Sequence, residues 1–213
     1  LAALRAITTA KTNDLIANTV LSYQISPSWE LKANLGLTDL KNAEQRLLPS
    51  TMYDPAYGLG SNRSSMFSNN TQRKSWIVEP QLRWNHDFGI SKIDILVGGT
   101  AQQQTSSRLY QFGYGFASNS QITDIASATQ KSIYVSDETL YKYQAFFGRL
   151  NYNWDQKYIV NITGRRDGSS RFGPGKQFAT FGAVGAAWLF SKENFLKENT
   201  VFSFGKLRAS YGS

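Results

Sequence analysis

Hydrophobic and polar residues alternate along much of this chain with a period of two, the pattern of β-strands that have two different faces. In the stretch 29–38 every odd position from Trp29 to Leu37 is apolar, whereas the even positions are Glu, Lys, Asn, Gly and Thr. A looser alternation precedes it at 15–25. Ser-Pro-Ser at 26–28 predicts a tight turn between the two, because proline fixes φ and lacks a backbone donor. The sequence therefore predicts a hairpin over 15–38.

The same alternation predicts further antiparallel strands downstream. They form a second hairpin over 76–101, a third over about 141–165, and single strands at 179–190 and 206–212. Longer segments separate the strands, at roughly 39–74, 105–139 and 166–178. Tight turns that alternate with long loops are typical of an outer-membrane barrel. We therefore expect an all-β fold, an antiparallel transmembrane β-barrel with about eight strands.

Aromatic residues concentrate beside the predicted tight turns. The set comprises Trp29, Phe88, Trp154, Tyr158 and Trp188. Such a position suits the aromatic girdle at a membrane interface. The aromatic core of a soluble β-sandwich is the alternative explanation.

Composition narrows the possible chemistry. The chain has no cysteine and one histidine, His86, so thiolate chemistry and an imidazole metal site are excluded. Its net charge of +8 is spread along the sequence rather than gathered in a basic block, and we expect no nucleic-acid partner. No nucleophile and base are paired in the sequence. We expect no enzyme activity, no catalytic residue, no cofactor and no metal.

Charged side chains fall on the polar side of the predicted strands. They are Glu30, Lys32, Glu79, Arg83, Asp94, Arg149, Arg165, Lys206 and Arg208. Facing lipid, an Arg or Lys near the bilayer midplane would cost on the order of 2–4 kcal/mol. These charges are therefore predicted to face a water-lined or protein-filled lumen.

The densest cluster of charge lies where a predicted strand would leave the membrane. Its residues are Arg165, Arg166, Asp167, Gly168, Ser169, Ser170, Arg171, Phe172 and Gly173. We expect it to form a hydrogen-bonding rim that continues through an Asp-Gly turn. A solvated turn with incidental charges is the alternative.

This RRDGSSRFG run resembles the barrel of the SusC/RagA-type TonB-dependent transporters of Bacteroidetes. Weaker matches occur in the same order along the family barrel: LAAL at 1–4, EPQL at 79–82, FGRLNY at 147–152, TF at 180–181, AAW at 186–188 and KLRASYG at 206–212. The resemblance covers the whole chain.

The resemblance implies a plugged barrel of the class with about 22 strands in the bacterial outer membrane. It implies TonB-dependent import of oligosaccharides or peptides with a SusD-like surface lipoprotein, and contact with outer-membrane lipid and lipopolysaccharide. Against the family pattern, 1–213 is expected to be an internal part of the barrel domain. Signal peptide, N-terminal extension, TonB box, plug and C-terminal strands would lie outside it.

Aromatic residues in the predicted long loops are candidates for contact with substrate or with the lipoprotein lid. They are Tyr53, Tyr57, Phe67, Tyr110, Phe112, Tyr114 and Phe116. Packing within the loops is the alternative role. Two further alternatives for the whole chain are a complete eight-stranded barrel with a structural or adhesive role, and a secreted carbohydrate-binding β-sandwich.

Overall fold

The computed structural model describes residues 6–196 and 204–213, which form eight β-strands. The strands are β1 (Ile7–Ser26), β2 (Trp29–Leu48), β3 (Ser65–Phe88), β4 (Ser91–Tyr114), β5 (Gln130–Trp154), β6 (Tyr158–Ser169), β7 (Phe178–Trp188) and β8 (Leu207–Gly212). They make one sheet in sequence order, with β1 and β8 at the two ends of that order. The predicted all-β fold is confirmed.

Strands β2 to β5 are much longer than the alternation predicts. Most of the segments 39–74 and 105–139, expected to be loops, belong to strands, and the true connections are 49–64 and 115–129. The polar residues there lack the alternation that marks a half-buried strand, but their backbone groups still pair with a neighbouring strand. The predicted strand at 179–190 ends at Trp188.

The register of β5 to β8 gives the sheet two chemically different faces. Leu150, Ile162, Val184 and Tyr211 lie opposite one another across the four strands and belong to the apolar face. One residue along, Arg149, Thr163, Ala183 and Gly212 form the matching row of the polar face. This is the arrangement that the alternation predicts, since neighbouring residues of a strand point to opposite sides.

The chain divides into two compact units, and each is described separately. Unit 1 comprises 1–17, 37–75 and 104–140. Its buried core is formed by Leu47, Met66, Phe116, Ile122 and Ala128. Connections 49–64 and 115–129 meet at this core, where Ser64 Oγ donates to Asn119 Oδ1 at 2.5 Å and accepts from the backbone N–H of Ser50 at 2.7 Å. The two connections are therefore folded against each other.

Unit 2 comprises 18–36, 76–103 and 141–213 and contains the three tight turns, at 27–28, 89–90 and 155–157. Trp154, Tyr158 and Trp188 stack in a row across β5, β6 and β7, with ring centroids 5.3 and 6.5 Å apart. Aromatic residues thus border this turn, as the sequence predicts.

Two alternatives from the sequence lack support in the described residues. A β-sandwich needs a second sheet packed on the first, and the described strands form a single sheet. A small closed barrel needs β8 to pair with β1, and the sheet order contains no such pairing. Among the residues that the structure describes, no helix is both long and apolar enough to cross a membrane.

Candidate functional site

The strongest ionic cluster of the polar face is centred on Asp94 of β4. Arg83 of β3 places its Nε and a terminal nitrogen each 2.6 Å from Asp94 Oδ2. Arg149 of β5 donates to Oδ1 at 3.2 Å. One half-buried carboxylate therefore joins three strands, and two positive charges share it.

A second cluster on the polar face is centred on Glu79 of β3. Its Oε1 accepts from Gln81 at 2.7 Å and from Asn34 of β2 at 3.2 Å, while Oε2 accepts from Thr100 of β4 at 3.2 Å. Uncharged donors thus hold this carboxylate, again across three strands. These bonds offset the cost of partly burying the carboxylate, which would be high without partners.

The other charges predicted to face a lumen are less engaged. Glu30 accepts a hydrogen bond from Ser22 at 2.9 Å. Lys32, Lys206 and Arg208 form no ion pair with any described residue. Arg208 lies opposite Ala187, and Lys206 directly precedes β8. For the whole set of charges, including those of the Asp94 and Glu79 clusters, orientation toward a lumen stays a prediction.

The motif at 165–173 starts inside β6, and its first residues contact both neighbouring strands. Arg165 donates to Asp167 at 2.6 Å and to the Tyr143 hydroxyl of β5. Its guanidinium also lies 5.8 Å from the ring centre of Phe147. Arg166, on the opposite side of the strand, stands 5.2 Å from the ring centre of Phe178 on β7.

The predicted Asp-Gly turn is wrong. Asp167 and Gly168 are ladder residues of β6, paired with Ala179 and Phe178 of β7, and the connection runs over 170–177. The sequence suggested a turn because Asp-Gly is a turn dipeptide, but strand pairing on both sides overrides that preference.

The second half of the motif fastens the connection 170–177 to β5. The Ser170 backbone N–H donates to the Lys142 carbonyl at 3.0 Å, and the Lys142 N–H donates to Ser170 Oγ at 2.9 Å. The Arg171 guanidinium lies 4.4 Å from the ring centre of Tyr141. Phe172 and Gly173 are exposed in the connection. The three arginines of the motif therefore have defined partners on β5 and β7, and the role of the motif as a rim of the barrel stays a prediction.

The aromatic candidates fall into three groups. Tyr53 and Tyr57 are exposed in the connection 49–64. Phe116 is only 2% exposed and packs in the core of unit 1, so its expected availability to substrate or lid is wrong. The remaining four lie in strands rather than in loops: Phe67 in β3, and Tyr110, Phe112 and Tyr114 in β4.

These four strand aromatics join with Tyr134 of β5 in one group, hereafter the aromatic cluster. Phe112 is central, with ring centroids 4.8 Å from Phe67, 6.0 Å from Tyr134 and 6.4 Å from Tyr114. Tyr110 contacts Phe67 at 6.2 Å and Tyr134 at 5.5 Å. The rings are half-buried and Tyr134 is 56% exposed, so the cluster presents ring surface to solvent.

Comparison with protein families identifies the family to which this sheet belongs. The family model described as "TonB dependent receptor-like, beta-barrel" matches residues 4–213. The chain belongs to this family. The family comprises receptors and transporters. This chain is therefore part of a barrel in the bacterial outer membrane. The resemblance seen in the motif is confirmed, although its first part, residues 1–4, lies outside the described residues.

Two curated relatives are similar to this barrel over most of the chain. TonB-dependent receptor P3 of Formosa agariphila is 30% identical over 201 residues, which are 92% of this chain and 19% of the relative. TonB-dependent receptor SusC of Bacteroides thetaiotaomicron is 30% identical over 206 residues, 95% of this chain and 20% of the relative. The chain thus spans about a fifth of the length of these relatives.

The fold matches that of a solved transporter. The structure of the RagAB peptide transporter superposes with a TM-score of 0.85 at 20% identity, over 99% of this chain and 23% of that chain. At this identity the likeness shows the fold. The eight strands of this TonB-dependent receptor barrel therefore follow those of a much larger chain.

Sequence reasoning missed several residues of these clusters. Tyr143, the acceptor for Arg165, could have been found by continuing the polar face of β5 backward from Arg149 in steps of two. Tyr134 had no such signal, because its strand was expected to be a loop. Asn34 and Thr100 are uncharged, and only the strand pairing brings them to Glu79.

A last polar cluster joins the tight turn 155–157 of the barrel to residues 189–196, which follow β7. Glu193 accepts from the Tyr158 hydroxyl at 2.6 Å and from the Trp188 indole N–H at 3.0 Å, and these bonds lower the pKa of its carboxyl. Lys157 Nζ lies 2.7 Å from Asp155 Oδ2 and 3.8 Å from Glu193 Oε2. The hydrogen bond to Asp155 raises the pKa of Lys157.

No metal centre is formed by the described part of the chain. Within 6–196 and 204–213, no three His, Asp or Glu side chains converge as a potential metal site. The carboxylates of the polar face are instead held by arginine and amide donors.

Proposed function

We propose that this chain forms part of the wall of a TonB-dependent importer that carries oligosaccharides or peptides across the outer membrane. In this proposal its strands are one stretch of neighbouring strands in a larger barrel, within a full-length protein that also has a plug and a TonB box. The observation that carries the proposal is the two-faced sheet of the family fold, with apolar rows on one face and ion pairs on the other.

The two faces suggest different roles in import. The apolar face contacts lipid and, beyond the rim, lipopolysaccharide, whereas the Asp94 and Glu79 clusters line a polar interior that a plug and a hydrated solute can occupy. The wall makes and breaks no covalent bond. Energy reaches the importer through TonB, and we expect no enzymatic role for the chain.

A SusD-like surface lipoprotein is the proposed partner. The support is the similarity to SusC at 30% identity, together with a fold that matches the RagAB peptide transporter. The exposed Tyr53 and Tyr57 in the connection 49–64 are candidate contacts for that lid, and they stay predictions.

The test uses the full-length protein in its native host. A deletion strain is grown on oligosaccharide mixtures or peptide mixtures as sole carbon source, and the affinity-tagged protein is purified to identify co-purifying lipoproteins. We expect loss of growth on one mixture, restored by the intact gene but not by a gene whose TonB box is deleted, and a SusD-like protein in the purified complex. Unchanged growth on every mixture, or restoration without a TonB box, would contradict import.

A further inference from the structure

The aromatic cluster of unit 1 lies beside arginines that form no ion pair with any described residue. On β4, Arg108, Tyr110, Phe112 and Tyr114 follow one another at every second position, so their side chains leave the strand on one side. Arg108 stands 5.6 Å from the ring centre of Tyr110, and Arg63 donates to the Tyr114 hydroxyl at 3.1 Å. The row of rings therefore has an arginine at each end.

An open groove of about 480 Å³ adjoins one end of this row. Phe67, Tyr110, Arg108 and Arg46 are among the residues that line it. Arg108 Nε donates a hydrogen bond to Asn69 Oδ1 at 3.0 Å. This bond orients the guanidinium and leaves its two terminal nitrogens for a ligand. Among the described residues, Arg46, Arg63 and Arg108 form no ion pair.

The carboxylate that lines the groove is already engaged. Glu44 Oε1 accepts from Asn42 at 3.1 Å, and Oε2 accepts from Asn69 at 3.2 Å. Asn69 thus lies between Glu44 and Arg108, accepting from the arginine and donating to the carboxylate. The groove is lined by two arginines and this one carboxylate, so its net charge stays positive toward an incoming anion.

The ring surfaces favour a saccharide. A pyranose ring has an apolar C–H face, which stacks on an aromatic ring, and a rim of hydroxyl groups. The Tyr110 and Tyr134 hydroxyls form no hydrogen bond with described residues and lie at the ring edges, where they can bond such a rim. A row of rings along a strand also suits an extended ligand whose own rings repeat.

We infer that the aromatic cluster, with Arg108 and Arg46, binds an acidic oligosaccharide, whose uronate carboxylates pair with the arginines while its rings stack on Tyr110, Phe112 and Tyr134. Guanidinium and carboxylate are both planar and form paired hydrogen bonds. The inference rests on the proposed import function and specifies its substrate class. A peptide of equal charge would satisfy the arginines but would leave the row of rings without a repeating partner.

The test measures binding by calorimetry to the full-length transporter purified in detergent. Three probes separate the contributions: tetragalacturonate, its methyl ester with the same rings but no charge, and tetraglutamate with charge but no sugar rings. We expect tetragalacturonate to bind at least about tenfold more tightly than either of the others, the size of one charge-assisted hydrogen bond. Equal binding of the ester, equal binding of tetraglutamate, or no binding of tetragalacturonate would overturn the inference.

Two variants locate the site. Arg108→Gln is expected to remove most of the preference for the acid over the ester, and Tyr134→Leu to weaken both saccharides. Tyr23→Leu is the control, because Tyr23 of β1 is 69% exposed and belongs neither to the cluster nor to the candidate contacts. The comparison of acid with ester uses the unchanged protein, so it decides the question even where a variant fails to assemble. Detergent binding needs no TonB, so loss of uptake with binding intact would count against the proposed import alone.

Discussion

Arg83 and Asp94 face each other across β3 and β4, with two arginine nitrogens each 2.6 Å from the same carboxylate oxygen. Arg149 takes the other oxygen from β5, so a single carboxylate connects three strands of the polar face. Charge on that face is therefore organised by strand register. A one-residue slip of β4 would turn Asp94 to the opposite face of the sheet and leave Arg83 without its partner.

Removing the Asp94 charge should weaken the barrel through two unpaired arginines. For Asp94→Asn in the full-length transporter we expect a loss of about 1–2 kcal/mol, modest because both arginines are about half exposed to solvent. Thermal unfolding in detergent measures it. The control is Asp87→Asn, whose ion pair with Lys92 is exposed on both sides and should matter by less than about 0.5 kcal/mol. Equal effects of the two variants would contradict a special role for Asp94.

Gly168 of the motif is predicted to tolerate no side chain. A Cβ at this position would lie 2.6 Å from Cε1 of Phe178, its partner on β7, and 3.1 Å from Gln144. Moving the Phe178 ring would also disturb its contact with Arg166. We expect Gly168→Ala to cost about 1–3 kcal/mol in thermal unfolding. Gly164→Ala, in the same strand and on the same face, has open space around its Cβ and should be close to neutral.

The two faces of β6 should tolerate a new charge to different degrees. Ile162 belongs to the apolar row with Leu150 and Val184, and its neighbour Thr163 belongs to the polar row with Arg149. Ile162→Lys is expected to cost about 2–4 kcal/mol in a lipid bilayer, and Thr163→Lys much less. Urea unfolding of the transporter in lipid vesicles gives both values. A larger cost at Thr163 would reverse the assignment of lipid and lumen faces.

The cluster around Glu193 should make the turn-side contacts sensitive to acid. Hydrogen bonds from Tyr158 and Trp188 lower the pKa of Glu193. The ionised carboxyl therefore contributes its full stabilisation above the ordinary glutamate pKa of about 4.3. That contribution is lost as the pH falls through the lowered pKa. Replacing the carboxyl with an amide removes this titration. We therefore expect Glu193→Gln to flatten the fall in the unfolding temperature between about pH 6 and pH 3.

The control for this titration is Glu138→Gln, because Glu138 forms no hydrogen bond or ion pair with any described residue. The unfolding temperature of this variant should fall with acid as that of the unchanged protein does. If the unfolding temperatures of the Glu193 and Glu138 variants fall identically with acid, the role of the cluster is refuted.

Lys157 contributes with the opposite pH dependence, because the bond to Asp155 raises its pKa. Its contribution to stability is complete below about pH 10.4 and is lost as the pH rises through the raised pKa.

The alternation of apolar and polar residues predicts much of the fold but less of the candidate site. The tight turns, the aromatic border at Trp154, Tyr158 and Trp188, and the polar side that carries Arg83, Asp94 and Arg149 could all be predicted. The extended ends of β2 to β5 could not, because their residues lack the alternation that marks a half-buried strand. The place of Tyr134 in the aromatic cluster went unseen for the same reason.

The sequence by itself determined which residues share a face and which family the chain resembles, because successive side chains of a strand point to opposite sides whatever their partners are. Only the tertiary structure decided the partners. It buried Phe116 in the core of unit 1, brought Thr100 to Glu79, and kept Asp167 and Gly168 in the ladder. These outcomes depend on register between strands distant in sequence, which the local order of residues does not specify.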